Sequence, residues 1–585
     1  MKFLIKIFIF FNCVTVLEIK NLNTIVDRII YYLTSFNLIK LFIYKLGFKN
    51  INPINLQSFK NFINEKKIPL IENNSLEKED VILVENFVNQ PTYTYQNLVS
   101  SLFLKKIYNF KIWGLLRRGD IKAEILYKKF NINNIIYIDE PNFFNRIKYI
   151  IKAINFFDHP ISLKKFCKLK YKNTDIGLTT YDSYLRYKKV PTEENTNIHI
   201  LCMLAQSMYK CDQIISKVFS NKKIKKMVQS EIVFSPLQSI FQLCLLNKVE
   251  VYSNALDRKL KNISIRKFND LGQSDKYKFN ISNKIFNRVY KTKKKQALQM
   301  FKKNFLDTLD KDNFGNLHSR SPDKIINKKL ISKGQIHEYL KMKKKPIVCF
   351  FLNHLIDRNF HFGARINFQD NLSWVRFVLN EISKHKNVNW IIKPHPMEKY
   401  YNAKFNIVSL IKEIEKKHNH IKLCPDELSN ITLIKSIDLA LTSNGTVGFE
   451  YPAFGVKSMF VNKSEYSNMD FCKLVDSTKK IREKFKKFHL TKKLTKHEIE
   501  KYRIFMFLRY MFIFNKCSLM PGASNLRNFD EEKFWKDCKN SMIKFSFKKD
   551  KFYQMLKHQV KYKTRHTYNY NLINLTKIKM NDFNN

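Results

Sequence analysis

Glycine is scarce in this sequence, with 12 in 585 residues where an ordinary chain carries about 7%. A chain so poor in glycine keeps it where the backbone needs it, so a cluster of glycines marks a loop of consequence. Paired cysteines are missing too. Ten cysteines are scattered from Cys13 to Cys538 without a CxxC pair, which excludes a compact disulfide framework or a zinc ribbon and fits reduced, cytosolic thiols. His199 and Cys202, with Cys211 nearby, have a helix-like spacing but no second ligand pair. They read as core packing, and no metal is assigned to them. The dinucleotide fingerprint GxGxxG and a phosphate loop ending in GKS or GKT are both absent.

Long apolar runs are also lacking. Residues 1–17, MKFLIKIFIFFNCVTVL, have a basic start and an apolar body. They lack a small-x-small cleavage site and end at Glu18 and Lys20, short of the roughly 20 residues that span a bilayer. A buried strand or a surface-lying anchor describes them better than a signal peptide. Residues 29–48 are apolar and aromatic but interrupted by Asn37, Lys40 and Lys45, and read as globular core. The protein is expected in the cytoplasm, with peripheral contact to the inner face of an anionic inner membrane as the one alternative.

Negative charge is in deficit: 105 Lys plus Arg against 50 Asp plus Glu give a net charge of +55. Such a surplus attracts nucleic acid, anionic lipid or phosphorylated substrates. It is spread from Lys2 and Lys6 to Lys577 and Lys579 among many Asn, Ile, Phe and Tyr residues, the pattern of an A+T-rich genome rather than of a dedicated basic arm. No concentrated basic face with interleaved aromatics and no nucleic-acid module is found, so no nucleic-acid partner is expected.

What is present is an alternation of short apolar and longer amphipathic runs, the signature of βαβ units. The first set reads as strands at 81–84, 112–116, 135–138, 231–234 and 249–252, with helices at 95–106 and 237–246. Residues 261–345 are basic and punctuated by Gly272, Gly315, Ser321-Pro322 and Gly334, and read as a helical connection. Its cluster Lys291, Lys293, Lys294 and Lys295 reads as a solvated face. A second set starts at Pro346 and runs β-α-β-α-β-α-β-α-β to about 475. Its first helix has Leu372, Val375, Val378, Leu379 and Ile382 on one face. The expected fold is α/β, with two doubly wound parallel-sheet domains, 1–260 and 346–475, joined by 261–345 and followed by a helical extension, 476–585.

Ligands of open parallel sheets sit outside the carboxyl ends of the strands, and two motifs fall there. The first is KPHP at 393–396. Its prolines stiffen the loop that carries Lys393 and His395, and a cation beside an imidazole suits phosphate oxygens or a developing charge. The second is TSNGTVGFEYPAFG at 442–455, which holds three of the 12 glycines. Gly445 lets the backbone turn where a side chain would block a ligand. Hydroxyls of Thr442, Ser443 and Thr446 can bond a phosphate, and a helix opening at Thr446 or Val447 turns N–H groups toward an anion. Glu450, about one turn inside, can accept both hydroxyls of a ribose. A third candidate is Asn353-His354-Leu355-Ile356-Asp357, with Asn359, His361 and Gly363 close behind. Asp158-His159-Pro160 reads as a turn.

A strand ending NWIIKPHP, then DELSN, then DLALTSNGTVGFEYPAFGVKSMF resembles the C-terminal half of capsule and surface polysaccharide biosynthesis glycosyltransferases, bacterial GT-B enzymes that include the Kdo transferases. The resemblance covers about residues 345–475. It implies two Rossmann-like domains facing a cleft, no metal and no cofactor, and a nucleotide-sugar donor bound mainly by the second domain. Lys393 and His395 would contact the donor phosphates or the departing charge, while Ser443, Asn444, Gly445 and Thr446 would form the phosphate loop and Glu450 would meet the ribose. The acceptor would be a glycan or lipid-linked glycan. The base that takes the acceptor proton is sought among Asp357, His354 and His361. Tyr451-Pro452 departs from the small residues of many relatives. A nucleotide-sugar 2-epimerase or a CDP-polyol phosphotransferase on the same scaffold is the alternative.

Overall fold

The computed structural model describes residues 57–65, 78–88, 90–157, 161–257, 261–271, 279–307, 329–332, 334–357, 368–401, 403–522 and 529–573. The apolar runs at 1–17 and 29–48, Asp158-His159-Pro160, and Asn359, His361 and Gly363 lie outside the described residues. So do Gly272, Gly315 and Ser321-Pro322.

The fold is α/β, built on two Rossmann-like sheets. The first unit contributes β1 Lys78–Asn86, β2 Phe110–Arg117, β3 Ile135–Ile138, β4 Ile224–Gln229, β5 Glu250–Leu256 and β6 Asn262–Phe268. The second contributes β7 Ile347–Phe351, β8 Asn389–Lys393, β9 Ile421–Leu423, β10 Leu439–Thr442 and β11 Lys457–Phe460, and a short β12 Asn515–Lys516 follows. The sheets run β12-β6-β5-β4-β1-β2-β3 and β11-β10-β7-β8-β9. Strands β1 to β5 are mutually parallel, as are β7 to β11. In both sheets the strand order reverses beside the first strand, between β1 and β4 and between β7 and β10. That reversal opens the crevice in which doubly wound sheets bind ligands.

Alternate side chains of β7 explain why the second sheet is continuous apolar sequence rather than an alternating one. Ile347, Cys349 and Phe351 enter one core, whereas Val348 and Phe350 enter the other. The helix Asn371–Ile382 closes the second of these cores with the five expected apolar residues, all buried. It starts at a reciprocal capping box, in which Asp370 accepts from the Ser373 N–H and the Ser373 hydroxyl faces the Asp370 backbone.

The first unit departs from expectation in two places. Residues 231–234 are irregular, and the strand is β4, just upstream. Its sequence IKKMVQ hides the apolar run behind two lysines. Lys226 is nonetheless accommodated, because its ammonium meets Glu250 at 2.5 Å and lies 4.3 Å from the Tyr108 ring centroid. The sheet also extends beyond residue 260, since β6 pairs antiparallel with β5, and β12 with β6.

The C-terminal segment divides between the units. The helix Lys496–Phe507 packs in the core of the second unit together with the connection helix Asn283–Phe301. From residue 515 the chain returns to the first sheet, where the helices Glu531–Ile543 and Lys551–Lys561 cover one face. Trp535 there touches Phe59, Phe62 and Tyr95, with ring centroids 5.0 to 6.1 Å apart. Within the connection, Lys291 and Lys295 are exposed and Lys294 pairs with Glu500 at 2.6 Å. No helix among the described residues is long and apolar enough to cross a membrane.

Candidate functional site

The two motif loops leave the two strands that flank β7 in the second sheet. KPHP follows β8, TSNGT follows β10, and β7 lies between them. The loop after β7 joins the group, so three strand ends meet across the reversal point. Asn353, two residues beyond β7, donates from its amide to Asn444 Oδ1 at 2.6 Å, and its own carbonyl oxygen accepts from the Thr442 hydroxyl at 3.4 Å. This clamp fixes the turn after β10 to the end of β7.

Within the turn the roles differ from those expected. Thr442 and Ser443 are buried. The Thr442 hydroxyl accepts the Gly445 N–H at 3.2 Å, and Ser443 accepts the Asn462 amide at 2.7 Å while its carbonyl receives the Val461 and Asn462 N–H groups at 3.0 Å. Both brace the loop from inside instead of offering hydroxyls outward. Thr446 is exposed, and Asn444 and Gly445 are half-buried beside it. Three residues of the TSNGT loop are therefore left to face a ligand.

The glycines also have packing reasons. A Cβ on Gly448 would stand 1.9 Å from the Tyr466 phenolic oxygen, and one on Gly445 would stand 2.9 Å from the Thr442 hydroxyl. Tyr466 uses the space to donate its O–H to the Gly445 carbonyl at 2.9 Å. Gly445 thus serves the close approach of Thr442 rather than a bend only glycine can make, whereas Gly455 has a left-handed φ of +95°. Glu450 is 4% exposed, and one carboxylate oxygen accepts the Tyr510 hydroxyl. Burial and this bond tie Glu450 to the core behind the loop.

Lys393 and His395 are half-buried at the end of β8. The Lys393 ammonium approaches the Cys424 sulfur at 3.8 Å, on the same side of the sheet as the glycine loop's core. His395 Nδ1 accepts the Met397 N–H at 3.2 Å, and the Glu398 N–H donates to the His395 carbonyl at 2.9 Å. These bonds seat the imidazole at the start of the one-turn helix Glu398–Tyr401.

Glu398 is a residue that sequence reasoning missed. Its carboxylate accepts the Leu355 N–H at 3.4 Å and stands 3.5 Å from His354 Nε2. Burial pushes its pKa up to about 7, against the opposing Leu355 N–H. His354 Nδ1 accepts the Ile356 N–H at 3.2 Å, which leaves the ring proton on Nε2, toward Glu398. The His354 ring stands edge-on to Tyr401 at 4.3 Å and to His395 at 5.8 Å. An acid and two imidazoles thus converge beside the crevice. The only sequence signal was the position of Glu398, three residues beyond His395.

The first unit reaches this edge through its helix Ile176–Lys188. Arg186 pairs with Asp357 at 2.9 Å and lies 4.0 Å above the Tyr401 ring. The Tyr181 and Thr192 hydroxyls both point to the buried Asp370, and the Gln369 amide donates to the Glu193 carbonyl at 3.1 Å. Asp357 is therefore held as an inter-unit strut. No cluster of His, Cys, Asp and Glu among the described residues is arranged to hold a metal ion.

No protein-family model and no curated protein matches the sequence. Among solved structures, the chain is similar to KpsC, a β-Kdo 2,4 transferase of Thermosulfurimonas dismutans, at 10% identity over 48% of this chain and 79% of that one, with a TM-score of 0.29. A glycosyltransferase of Rickettsia africae aligns at 10% identity over 80% of this chain and all of the other, with a TM-score of 0.25. The UDP-GlcNAc 2-epimerase of Neisseria meningitidis, bound to UDP-GlcNAc, aligns at 10% identity over 80% and 98%, with a TM-score of 0.22. At these scores no residue role is transferred from any of them.

Proposed function

We propose that this chain is a glycosyltransferase that uses a nucleotide-activated sugar to build a capsular or other surface polysaccharide. The observation that carries the reading is the Asn353 clamp, which draws the TSNGT loop to the end of β7, next to the strand that ends in KPHP. A nucleoside diphosphate or monophosphate at this edge would meet Lys393, His395 and the Asn444-Gly445-Thr446 backbone. Glycosyl transfer builds negative charge on the departing nucleotide, and fixed cations and N–H groups aimed at that charge lower the barrier. Lys393 supplies such charge and the His395 Nε2–H a hydrogen bond from the protein itself, in keeping with a metal-independent reaction. The acceptor, a glycan or lipid-linked glycan, would enter from the first unit. Its proton would pass to the Glu398 carboxylate, beside His354, or to Asp357 once released from Arg186. Calorimetric titration with a panel of UDP-, CMP- and GDP-sugars tests this. Binding to one of them, weakened in Lys393→Ala and Thr446→Ala, supports the reading, and heat from none of them removes it.

The Glu398, His354 and His395 cluster favours a second reading. Acid and base groups gathered within the donor-side unit need no second substrate, as in a nucleotide-sugar 2-epimerase; a CDP-polyol phosphotransferase would use the same phosphate contacts. NMR analysis of products separates the three, because an epimerase converts its nucleotide sugar without any acceptor.

A further inference from the structure

The helix Phe143–Asn155 begins just past β3, at the carboxyl edge of the first sheet, where Asn142 caps it by accepting the Asn145 N–H. One face is buried through Tyr149, Ile150, Ala153 and Ile154. The opposite face repeats at the three- and four-residue steps of a helix through Phe144, Ile147, Lys148 and Ile151, with Phe143 alongside. Phe144 is 79% exposed, Phe143 58% and Ile151 45%. The Phe143 and Phe144 rings meet each other edge-on at 5.8 Å and stay largely exposed, although a helix that is apolar on two sides normally buries both.

Positive charge adjoins this apolar face. Between residues 141 and 174 there are eight Lys or Arg and one Asp, so these 34 residues carry about twice the net charge that the chain-wide +55 would assign to them. Lys148 lies on the apolar face itself. Lys164, Lys165, Lys168, Lys170 and Lys172 are all exposed, and their segment is tied to the end of the helix by Lys152, which bonds Tyr171, and by the Phe156 and Tyr171 rings, 5.7 Å apart.

We infer that the outward face of the helix Phe143–Asn155, with the lysine run at 164–172, is a docking surface for an anionic phospholipid membrane. Exposed rings at one end of a helix enter the headgroup boundary, aliphatic Ile147 and Ile151 follow them, and the lysines meet lipid phosphates. The aliphatic members favour lipid over nucleic acid, since a base stacks on a ring but gains little from an isoleucine. The surface needs nothing from the donor loops. That it would bring the first unit toward a lipid-linked acceptor is a consequence that rests on the glycosyltransferase reading.

Flotation of the full chain with phosphatidylcholine vesicles, with and without 30% phosphatidylglycerol, tests the surface. The protein is expected to float with the anionic vesicles and to sediment with the neutral ones, and added salt is expected to reduce the floating fraction. Phe143→Ser/Phe144→Ser/Ile151→Ser should weaken partitioning about tenfold or more, and Lys164→Glu/Lys165→Glu/Lys168→Glu should abolish the preference for anionic lipid. These side chains are exposed, so unchanged thermal unfolding separates lost docking from lost folding. Failure of the wild type to float, equal flotation with neutral vesicles, or undiminished flotation of the serine variant would each overturn the inference, as would an RNA homopolymer whose binding alone responds to the variants. Nucleotide titration of the serine variant reads the donor site separately.

Discussion

Arg186 of the first unit and Asp357 of the second stand 2.9 Å apart, with the Arg186 guanidinium 4.0 Å above the Tyr401 ring. The two units are thereby pinned directly beside the candidate donor edge. Both partners are partly solvated, so the ion pair contributes no more than about 1 kcal/mol, and the ring contact a similar amount. Arg186→Ala is expected to leave global unfolding within about 2 kcal/mol of wild type while loosening the units. Small-angle scattering should report a larger radius of gyration; an unchanged radius would show that the Asp370 contacts suffice alone.

Glu398 sets a pH dependence. Its carboxyl titrates near 4.5 when unfolded and at about 7 in the native protein, so the folded state holds the proton more tightly. The stability this lends is complete below pH 4.5 and is lost as pH rises through 7, by about 3 kcal/mol in all. Denaturant titrations of wild type and Glu398→Gln at pH 4.5 and pH 8 should differ by that amount, with the variant losing less on going to the higher pH.

The second unit was largely legible from sequence because its strands are buried on both faces and its helices are amphipathic. Thr442-Ser443-Asn444 and Lys393-Pro394-His395 stood out at strand ends for the same reason. What the sequence hid was tertiary. Asn353, Asn462 and Tyr466 are ordinary polar residues until folding brings them onto the TSNGT loop, and Glu398 becomes unusual only when buried beside His354. In the first unit, the lysines of β4 masked a strand: Lys225 is exposed, and the charge of Lys226 is met by Glu250 and an aromatic ring that no local window contains. Spacing alone does not say which side of a turn faces inward, so the burial of the Thr442 and Ser443 hydroxyls becomes visible only in the fold.

Gly448 offers a steric test. Alanine there would force its Cβ to 1.9 Å from the Tyr466 oxygen and 2.5 Å from the ring carbon that bears it. Moving a fully buried ring should cost about 1 to 3 kcal/mol. Gly445→Ala meets a rotatable hydroxyl at 2.9 Å and should cost less. Thermal unfolding that ranks the two the other way round would contradict the assigned packing.

Asn353→Ala removes both bonds that hold the TSNGT loop to β7. Each neutral hydrogen bond contributes about 1 kcal/mol, so the fold should survive. The preorganisation of the loop should not, and affinity for the nucleotide identified by titration is expected to fall about tenfold. Unaltered affinity would place the nucleotide elsewhere.

The return of residues 515–573 to the first sheet bears on how the chain is made. Trp535, Cys538 and Phe552 complete a core that begins with Phe59 and Phe62, so the amino-terminal unit waits for the last tenth or so of the chain to leave the ribosome. The second unit waits as well, because Met555, Tyr568 and Tyr570 belong to its core and Tyr568 stacks on Phe512 with ring centroids 5.3 Å apart. Neither core is complete before these residues emerge, and the exposed face of the first sheet is the surface a chaperone would have to shield until then.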